Sequence, residues 1–385
     1  MARRSAAIAV KILFWASATI VAYTYVGYPL VLLVLHRLAR RQRVAAASNP
    51  SVSMIIAAYN EAAVIAAKVR NALDSSYPPD RLEVIVVSDG SSDDTDRLAA
   101  EAGAERLRLL RSPKRRGKAH AMNLGAVHAT GSILLFTDAN VFFDRDAIGS
   151  LVRRFEDPSV GAAVGRVTIR PEGSSEAAGE GLYMQYERRL HQLESDISSM
   201  VTVDGAMFAV RQSLYTPLAE DTVVDDFVTV MRIVELGYRI RYAPDATAWE
   251  AAAATVRDEL KRKVRIIAGG WKALAQMRSL LNPLRHPALA LQLISHKILR
   301  WLVPLCLIAV AGSTLALLGS PFYRFALGAQ VLFYALAVAS LLVPGLRSRR
   351  LCYFPYYLCA MNLAALLGLV RFLLSSQSVL WEKAR

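Results

Sequence analysis

Four stretches of the chain contain no Asp, Glu, Lys, Arg or His, and each is at least 20 residues long. A helix rises about 1.5 Å per residue, so about 20 apolar residues suffice to cross the hydrocarbon core of a membrane. The stretches cover residues 12–35, 301–323, 325–346 and 351–370. They predict one N-terminal membrane span, a long polar middle, and a C-terminal group of three spans.

The first apolar stretch has two interpretations, an uncleaved anchor and a cleaved signal peptide. The segment Ala45-Ala46-Ala47-Ser48 resembles a cleavage site. The run of 24 apolar residues is nevertheless longer than the apolar part of a signal peptide, which has roughly 7–15 residues. Basic residues follow the run directly, namely His36, Arg37, Arg40, Arg41 and Arg43. Because basic residues beside a span favour the cytoplasmic side, we expect an anchor over residues 1–43 and a cytoplasmic middle domain.

The C-terminal spans predict the same orientation. The connection Arg347-Ser348-Arg349-Arg350 is basic and is therefore expected in the cytoplasm, whereas Gly319-Ser320-Pro321 forms a short turn outside. These features predict a multi-pass protein of the inner (cytoplasmic) membrane. Its expected parts are the anchor 1–43, a cytoplasmic domain 44–255, amphipathic interface helices 256–300 and membrane helices 301–385.

The net charge of +14 is compatible with a nucleic-acid partner or with a membrane surface. The basic residues cluster at the edges of the apolar stretches, where anionic lipid attracts them, and no zinc-finger or RNA-binding motif accompanies them. We therefore expect membrane lipid as a partner and no nucleic acid. The three cysteines all lie in C-terminal apolar stretches without CxxC spacing, as packing residues do.

The polar middle alternates short apolar runs with helical patterns. The predicted strands cover residues 51–57, 82–87, 106–110 and 133–136. Continuous apolar strands that alternate with helices indicate a parallel sheet covered on both faces, an α/β fold. Ligands of such sheets bind at the carboxyl ends of the strands, and Asn60, Asp89 and Asp138 follow three of these strands. The functional site is expected at that edge.

The sequence has no glycine-rich phosphate loop. Neither GxGxxG after the first strand nor GxxxxGK[ST] anywhere is present. Carboxylates at the strand ends would then hold a nucleotide through its base, its ribose and a bridging divalent metal.

Five motifs occur in an order that resembles one enzyme family. They are Ala58-Tyr59-Asn60-Glu61, Ser88-Asp89-Gly90-Ser91-Ser92-Asp93, Arg116-Gly117-Lys118-Ala119 with Asn123, Asp138-Ala139-Asn140, and Val224-Asp225-Asp226. This series is similar to the family 2 glycosyltransferases of the GT-A fold, in particular the membrane-embedded branch with cellulose, hyaluronan and poly-N-acetylglucosamine synthases. The resemblance covers about residues 50–275, and it implies a mostly parallel α/β GT-A domain.

The resemblance also implies the site. Asp226 matches the general base that takes the proton of the acceptor hydroxyl, although paired acids before a helix also occur as capping residues. The residues expected to bind the UDP-sugar are Ala58, Asn60, Glu61, Asp89, Lys118, Asp138 and Arg265. The residues expected at the acceptor are Asp204, Gly205, Asp225 and Trp271. Asp138 and Asn140 are expected to hold a divalent cation, Mg²⁺ or Mn²⁺.

Two positions depart from the family pattern. Asn140 replaces the second carboxylate of Asp-x-Asp, so its amide oxygen would coordinate the metal without charge. In the Gln-x-x-Arg-Trp signature only the arginine is kept, as Arg265, while Arg262 and Ile266 replace the other two residues. The missing tryptophan bears on whether synthesis is processive, and Trp271 is a candidate substitute.

The resemblance implies an inverting transfer of a sugar from a UDP-sugar to a growing polysaccharide, which an accessory export subunit could assist. Two alternatives stay open: a non-processive enzyme that forms a glycolipid, and a non-catalytic membrane scaffold that retains the fold. The sequence does not identify the sugar.

Overall fold

The computed structural model describes residues 2–38, 49–170, 177–251 and 255–374. Arg40, Arg41 and Arg43 of the basic cluster, Ala45–Ser48 and the expected domain boundary at residue 43 lie outside the described residues. The helices of the described chain are α1 Ala2–Ala22, α2 Tyr28–Leu38, α3 Ile65–Leu73, α4 Thr95–Gly103, α5 Lys118–His128, α6 Ala147–Val152, α7 Ala177–Ile197, α8 Asp225–Glu235, α9 Val256–Gln276, α10 Pro287–Gln292, α11 Leu299–Ala316, α12 Pro321–Leu342 and α13 Arg350–Leu373.

The polar middle folds around one eight-stranded sheet in the order β3-β2-β1-β4-β7-β6-β8-β5. The strands are β1 Val52–Ala58, β2 Leu82–Asp89, β3 Leu107–Ser112, β4 Ile133–Asp138, β5 Val141–Phe143, β6 Val160–Arg170, β7 Met207–Arg211 and β8 Arg239–Ala251. The first four are parallel, which confirms the strands expected from the sequence. Strand β7 is antiparallel to both β4 and β6, so the sheet is mixed and mostly parallel.

The alternation of side chains along the strands fills both faces of the sheet. In β1, Ile55 and Ala57 pack toward helices α5 and α8, whereas Met54 and Ile56 pack toward α3 and α6. All seven residues of β1 are buried. A strand covered on both faces must be apolar throughout, which explains the continuous run in the sequence. The helices on both faces fix where the carboxyl ends of β1, β2 and β4 meet.

The described chain contains four helical segments long and apolar enough to cross a membrane: Arg4–Leu38, Pro287–Ala316, Pro321–Leu342 and Leu351–Leu373. The predicted end of the second span at residue 323 was wrong, since that helix ends at Ala316 and the next one begins at Pro321. The same apolar helix extends back to Pro287, and the division between interface and membrane helices at residue 300 stays a prediction. Pro321 starts the third helix because proline fits the first helical turn, where its missing N–H is not needed.

Two π-helical turns interrupt the first and second membrane helices, at Tyr23–Gly27 and Leu293–Ile298. The turns face each other, since the Tyr23 hydroxyl lies 2.9 Å from Ser295 Oγ. Such bulges are rare and occur often at functional sites.

Helix α7, which the sequence analysis missed, joins the sheet domain to these turns through buried charges. The Glu194 carboxylate accepts a hydrogen bond from Tyr28 at 2.5 Å and lies 2.6 Å from Nδ1 of His296. Glu187 pairs with His296 and with Arg300. Burial alone would raise the pKa of Glu187, but Arg300 and His296 outweigh it and hold that pKa well below the ordinary value. These charges are therefore paired, as burial requires.

Candidate active site

Three chain segments bring opposite charges together beyond the end of β4. Asp138 is the last residue of β4, Lys118 is the first of α5, and Asp225 is the first of α8. The Lys118 ammonium lies 2.6 Å from Asp138 Oδ1 and 3.7 Å from Asp225 Oδ2. Burial alone would lower the pKa of Lys118, but the surrounding carboxylates raise it, so the lysine is charged. The strand-end site predicted from the sequence thus has a lysine at its centre.

The sequence suggested that Asp225 and Asp226 lie just before a helix. In the structure both lie in the first turn of α8. The Oδ1 atom of Asp226 accepts a hydrogen bond from the Phe227 N–H at 2.7 Å. Burial and the charge of Asp225 raise the pKa of Asp226 to about 7, although Lys118 and Lys297 act in the opposite direction. A carboxylate with a pKa near the working pH is suited to accept a proton.

Gly205 makes room for this carboxylate. A Cβ atom at residue 205 would lie 2.8 Å from Oδ2 and 3.1 Å from Cγ of Asp226. The Gly205 carbonyl also lies 3.4 Å from the Lys118 ammonium. The adjacent Asp204 is exposed and accepts a hydrogen bond from the Ala206 N–H at 3.2 Å. The loop before β7 therefore borders the Asp226 carboxylate, and its role in acceptor binding stays a prediction.

Asp89, at the end of β2, is fully buried. Its Oδ2 accepts a hydrogen bond from the Gly117 N–H at 2.7 Å, and its Oδ1 accepts one from the Arg116 N–H at 2.9 Å. The carboxylate thus holds the loop that starts α5 and so positions Lys118. Direct contact of Asp89 with the uracil and ribose stays a prediction.

The Ala58-Tyr59-Asn60-Glu61 motif joins the ends of β1 and β2. Ala58 is buried and pairs with Ser88, and Asn60 has a left-handed backbone with φ 53°. The Asn60 Oδ1 accepts a hydrogen bond from the Ser92 N–H at 2.8 Å, and the Glu61 N–H donates to Thr95 Oγ1 at 2.7 Å. These bonds fix two loops at the site, and the role of the motif in donor binding stays a prediction.

Asp138 and Asn140 flank the turn between β4 and β5, and Lys68 supports this turn from below. The Lys68 side chain is fully buried, and its ammonium donates to the Val141 carbonyl at 2.5 Å and to Thr137 Oγ1 at 3.3 Å. Burial lowers the pKa of Lys68 to about 7, although Asp138 counteracts it. Sequence reasoning missed Lys68, because a lysine on an amphipathic helix normally indicates an exposed face.

The described residues contain no group of three or more His, Cys, Asp or Glu side chains arranged to hold a metal ion. The residues present still fit a hard cation. Mg²⁺ and Mn²⁺ accept carboxylate and amide oxygens, and Mg²⁺ is commonly held by one or two protein ligands together with substrate phosphates and water. Asp138 and Asn140 offer such oxygens at one turn.

Arg265 of α9 is close enough for its charge to interact with Asp225, Asp138 and Asp226, while burial lowers its pKa. Arg262, one turn earlier, pairs instead with Glu259 at 3.0 Å and Glu250 at 3.6 Å. Burial raises the pKa of Glu250 to about 7, and Asp204 and Asp138 add to this. The arginine that replaces the family glutamine thus balances an acid of β8, which the sequence analysis did not identify.

Trp271 lies in an aromatic cluster between helices. Its ring centroid is 5.2 Å from that of Trp301 and 6.2 Å from that of Phe372. The neighbouring Gly270 lets α9 approach Trp301 closely, since a Cβ atom there would lie 2.5 Å from that ring. The structure therefore gives Trp271 a packing role, and stacking beneath an acceptor sugar stays a prediction.

The comparisons with known proteins agree with this geometry. Residues 53–215 match the family described as "Glycosyl transferase family 2". The chain is 26% identical over 231 residues to the poly-beta-1,6-N-acetyl-D-glucosamine synthase of Staphylococcus aureus (strain COL). This match covers 58% of this chain and 55% of the relative. The chain is 28% identical over 215 residues to the probable glycosyltransferase YdaM of Bacillus subtilis (strain 168). This match covers 52% of this chain and 50% of the relative. The chain thus spans about half the length of these curated relatives.

One solved structure matches nearly the whole chain. The mannosyltransferase PcManGT from Pyrobaculum calidifontis, in complex with GDP-Man and Mn²⁺, superposes with a TM-score of 0.72 at 25% identity. The match covers 95% of this chain and 100% of that one. The likeness therefore extends beyond the sheet domain to the membrane helices.

Proposed function

We propose, from the match of residues 53–215 to family 2 of the glycosyltransferases, that the chain transfers sugar from a UDP-sugar to a growing polysaccharide at the membrane. Its catalytic domain is proposed to face the cytoplasm, as part of a multi-pass protein of the inner membrane. The similarity to a poly-N-acetylglucosamine synthase supports a polysaccharide product.

The observation that carries the proposal is the convergence of Lys118, Asp138, Asp225 and Asp226 at one end of the sheet. Lys118 offers a positive charge to the diphosphate, at a helix start where free N–H groups also favour anions. Arg265 approaches the same acids from α9, and an arginine can bind phosphate oxygens with two parallel hydrogen bonds. Asp226 lies against Gly205. The donor is proposed to bind at Lys118 and Arg265, and the acceptor at Asp226.

The proposed reaction is a single displacement with inversion. The acceptor O–H bond breaks as its proton passes to Asp226, and the acceptor oxygen forms a bond to the anomeric carbon. The bond from that carbon to the diphosphate oxygen breaks with its electron pair, and UDP leaves. The transition state resembles an oxocarbenium ion, as in other displacements at glycosidic carbon.

A divalent cation, Mg²⁺ or Mn²⁺, is proposed at Asp138 and Asn140. When bound, it would supply positive charge to the leaving diphosphate. The presence of Mn²⁺ in the structurally similar mannosyltransferase supports this assignment. Lys118 keeps a fixed positive charge next to Asp138 in either case.

A cavity of about 960 Å³ among α11, α12, α13 and the start of α9 favours the alternative acceptor, a lipid. Its lining is mostly apolar and includes Leu307, Ile308, Phe333 and Leu366, but none of the acids of the site. An apolar chain fits such a lining better than a polysaccharide does. An accessory export subunit stays a prediction.

The test measures sugar transfer in membranes that contain the chain or its Asp226→Asn variant. The donors are UDP-glucose, UDP-N-acetylglucosamine, UDP-galactose and GDP-mannose, the last because the similar structure holds GDP-Man. We expect one donor to release its nucleotide, and removal of the base to reduce transfer by about 10²–10⁴ at unchanged nucleotide affinity. Product mass distinguishes polymer from glycolipid. Equal nucleotide release by both proteins for every donor would favour the scaffold.

A further inference from the structure

The second membrane helix places a lysine beside the acid-base residues of the site. Lys297 belongs to the π-helical turn Leu293–Ile298, and its ammonium lies 5.1 Å from the centre of the Phe227 ring and 5.8 Å from that of Trp301. In the part of the chain that the structure describes, this ammonium has neither a hydrogen bond nor an ion pair of its own. Its charge nevertheless acts on Asp226.

Phe227 connects Lys297 to Asp226 in space. The backbone N–H of Phe227 holds Oδ1 of Asp226 at 2.7 Å, and the ring of the same residue faces the ammonium. A cation over an aromatic face is attracted by the ring, and this attraction grows when the pair is shielded from water. The ring therefore holds the ammonium at the first turn of α8, which is the turn that carries Asp226.

Neighbouring residues fix the position of the π-helical turn. His296 lies between two carboxylates of α7, 2.6 Å from Glu194 and 3.1 Å from Glu187. Ser295 lies 2.9 Å from the hydroxyl of Tyr23 in the first membrane helix. Successive residues of a helix point in different directions, so these bonds leave Lys297 directed toward α8 while its neighbours hold the turn.

We propose that Lys297 is a positioning residue that keeps the Asp226 carboxylate ionised for proton transfer. The proposal rests on the proposed function, in which Asp226 is the base. The membrane helix thereby completes the acid-base part of a site whose other residues come from the sheet domain and α9.

The described charged groups that act on Asp226 have effects of opposite sign. Asp225, on the same helix, disfavours the ionised form, whereas Lys118 of α5, Arg265 of α9 and Lys297 favour it. Lys118 is already shared with Asp138 and Asp225. Lys297 lies within ion-pair distance of no carboxylate among the described residues; its charge acts most strongly on Asp226 and less strongly on Glu194 and Glu187 of α7.

The experiment is an infrared titration of the full-length protein in detergent. The Asp226 signal is obtained by subtracting the spectrum of the Asp226→Asn variant from that of the parent protein. The same subtraction is made in the Lys297→Met background, and the two signals are compared. We expect the midpoint of the coupled acids to rise by about one pH unit in Lys297→Met, because an attractive charge is removed, and to stay near the parent value in Lys297→Arg. Lys272→Met is the matched control, since the Lys272 side chain is 45% exposed and its ammonium pairs with Asp221.

The pH profile of sugar transfer gives a second measurement. A midpoint moved from about 7 to about 8 reduces the ionised fraction about eightfold at pH 6.5 and hardly at all at pH 9. An unchanged midpoint, or an equal loss at both pH values, would show that Lys297 only packs. Lys297→Gln repeats the test, and loss of nucleotide binding in both neutral variants would also overturn the proposal. The infrared measurement needs no substrate, so an enzyme inactive with every donor would refute the proposed function without affecting this result.

Discussion

Replacing Gly205 with alanine should slow sugar transfer without unfolding the protein. The added Cβ would lie 2.8 Å from Oδ2 of Asp226, which is at least about 0.5 Å closer than a comfortable contact. Asp226 must therefore move by about that distance. A displacement of about 1 Å can cost a hundredfold in rate. If half that displacement raises the activation free energy by half as much, kcat falls about tenfold.

The assay compares kcat and nucleotide affinity for Gly205→Ala and for a matched glycine. Gly149 of α6 is that control, because the nearest atom to an added Cβ there belongs to Tyr77 at 4.0 Å. We expect Gly149→Ala to keep full activity. Nucleotide affinity should be the same in both variants, since the loop at Gly205 is proposed to border the acceptor.

A double variant tests whether the loss passes through Asp226. If Gly205→Ala acts by displacing the base, it should cost little more in an Asp226→Asn background, because coupled residues are not additive. A kcat above half the parent value, or the same tenfold loss in both backgrounds, would refute the reasoning.

Three further predictions follow from the charges of the site. Asp225→Asn should lower the pH at which activity rises. The Asp225 charge helps to raise the pKa of Asp226 to about 7, so removal of that charge favours the ionised base. A pH–rate profile shifted to higher pH would contradict this prediction. Asn140→Asp should bind Mn²⁺ more tightly in a calorimetric titration, since it adds a charged oxygen at the turn, and unchanged affinity would place the metal elsewhere. Lys118→Met should weaken UDP binding at least about tenfold, as measured by equilibrium dialysis. The charge directed at the diphosphate is lost, and Asp138 loses its partner at 2.6 Å. Undiminished binding would remove Lys118 from the donor site.

The sequence determined those features that depend on local pattern. Continuous apolar runs predicted the four parallel strands, and the structure places each within two residues of its predicted start. The strand ends then located Asp138 at the edge of the sheet where Lys118 pairs with it and with Asp225. Four long apolar runs predicted four helices able to cross a membrane. These inferences succeeded because periodicity and uncharged length act within one segment of chain.

Only the tertiary structure decided which residues of distant segments share a site. Strands β6 and β8 pair across about eighty residues of sequence, and helix α7 buries its acids against membrane helices about a hundred residues away. Lys68 and Lys297 would each be assigned to a solvated face by their sequence neighbours, yet one supports the Asp138 turn and the other faces the helix start that carries Asp226. A lysine costs free energy to bury unless its surroundings compensate, and those surroundings exist only after the chain has folded. Local sequence therefore specified the elements, whereas the electrostatic setting of the base arose from contacts that no local pattern encodes.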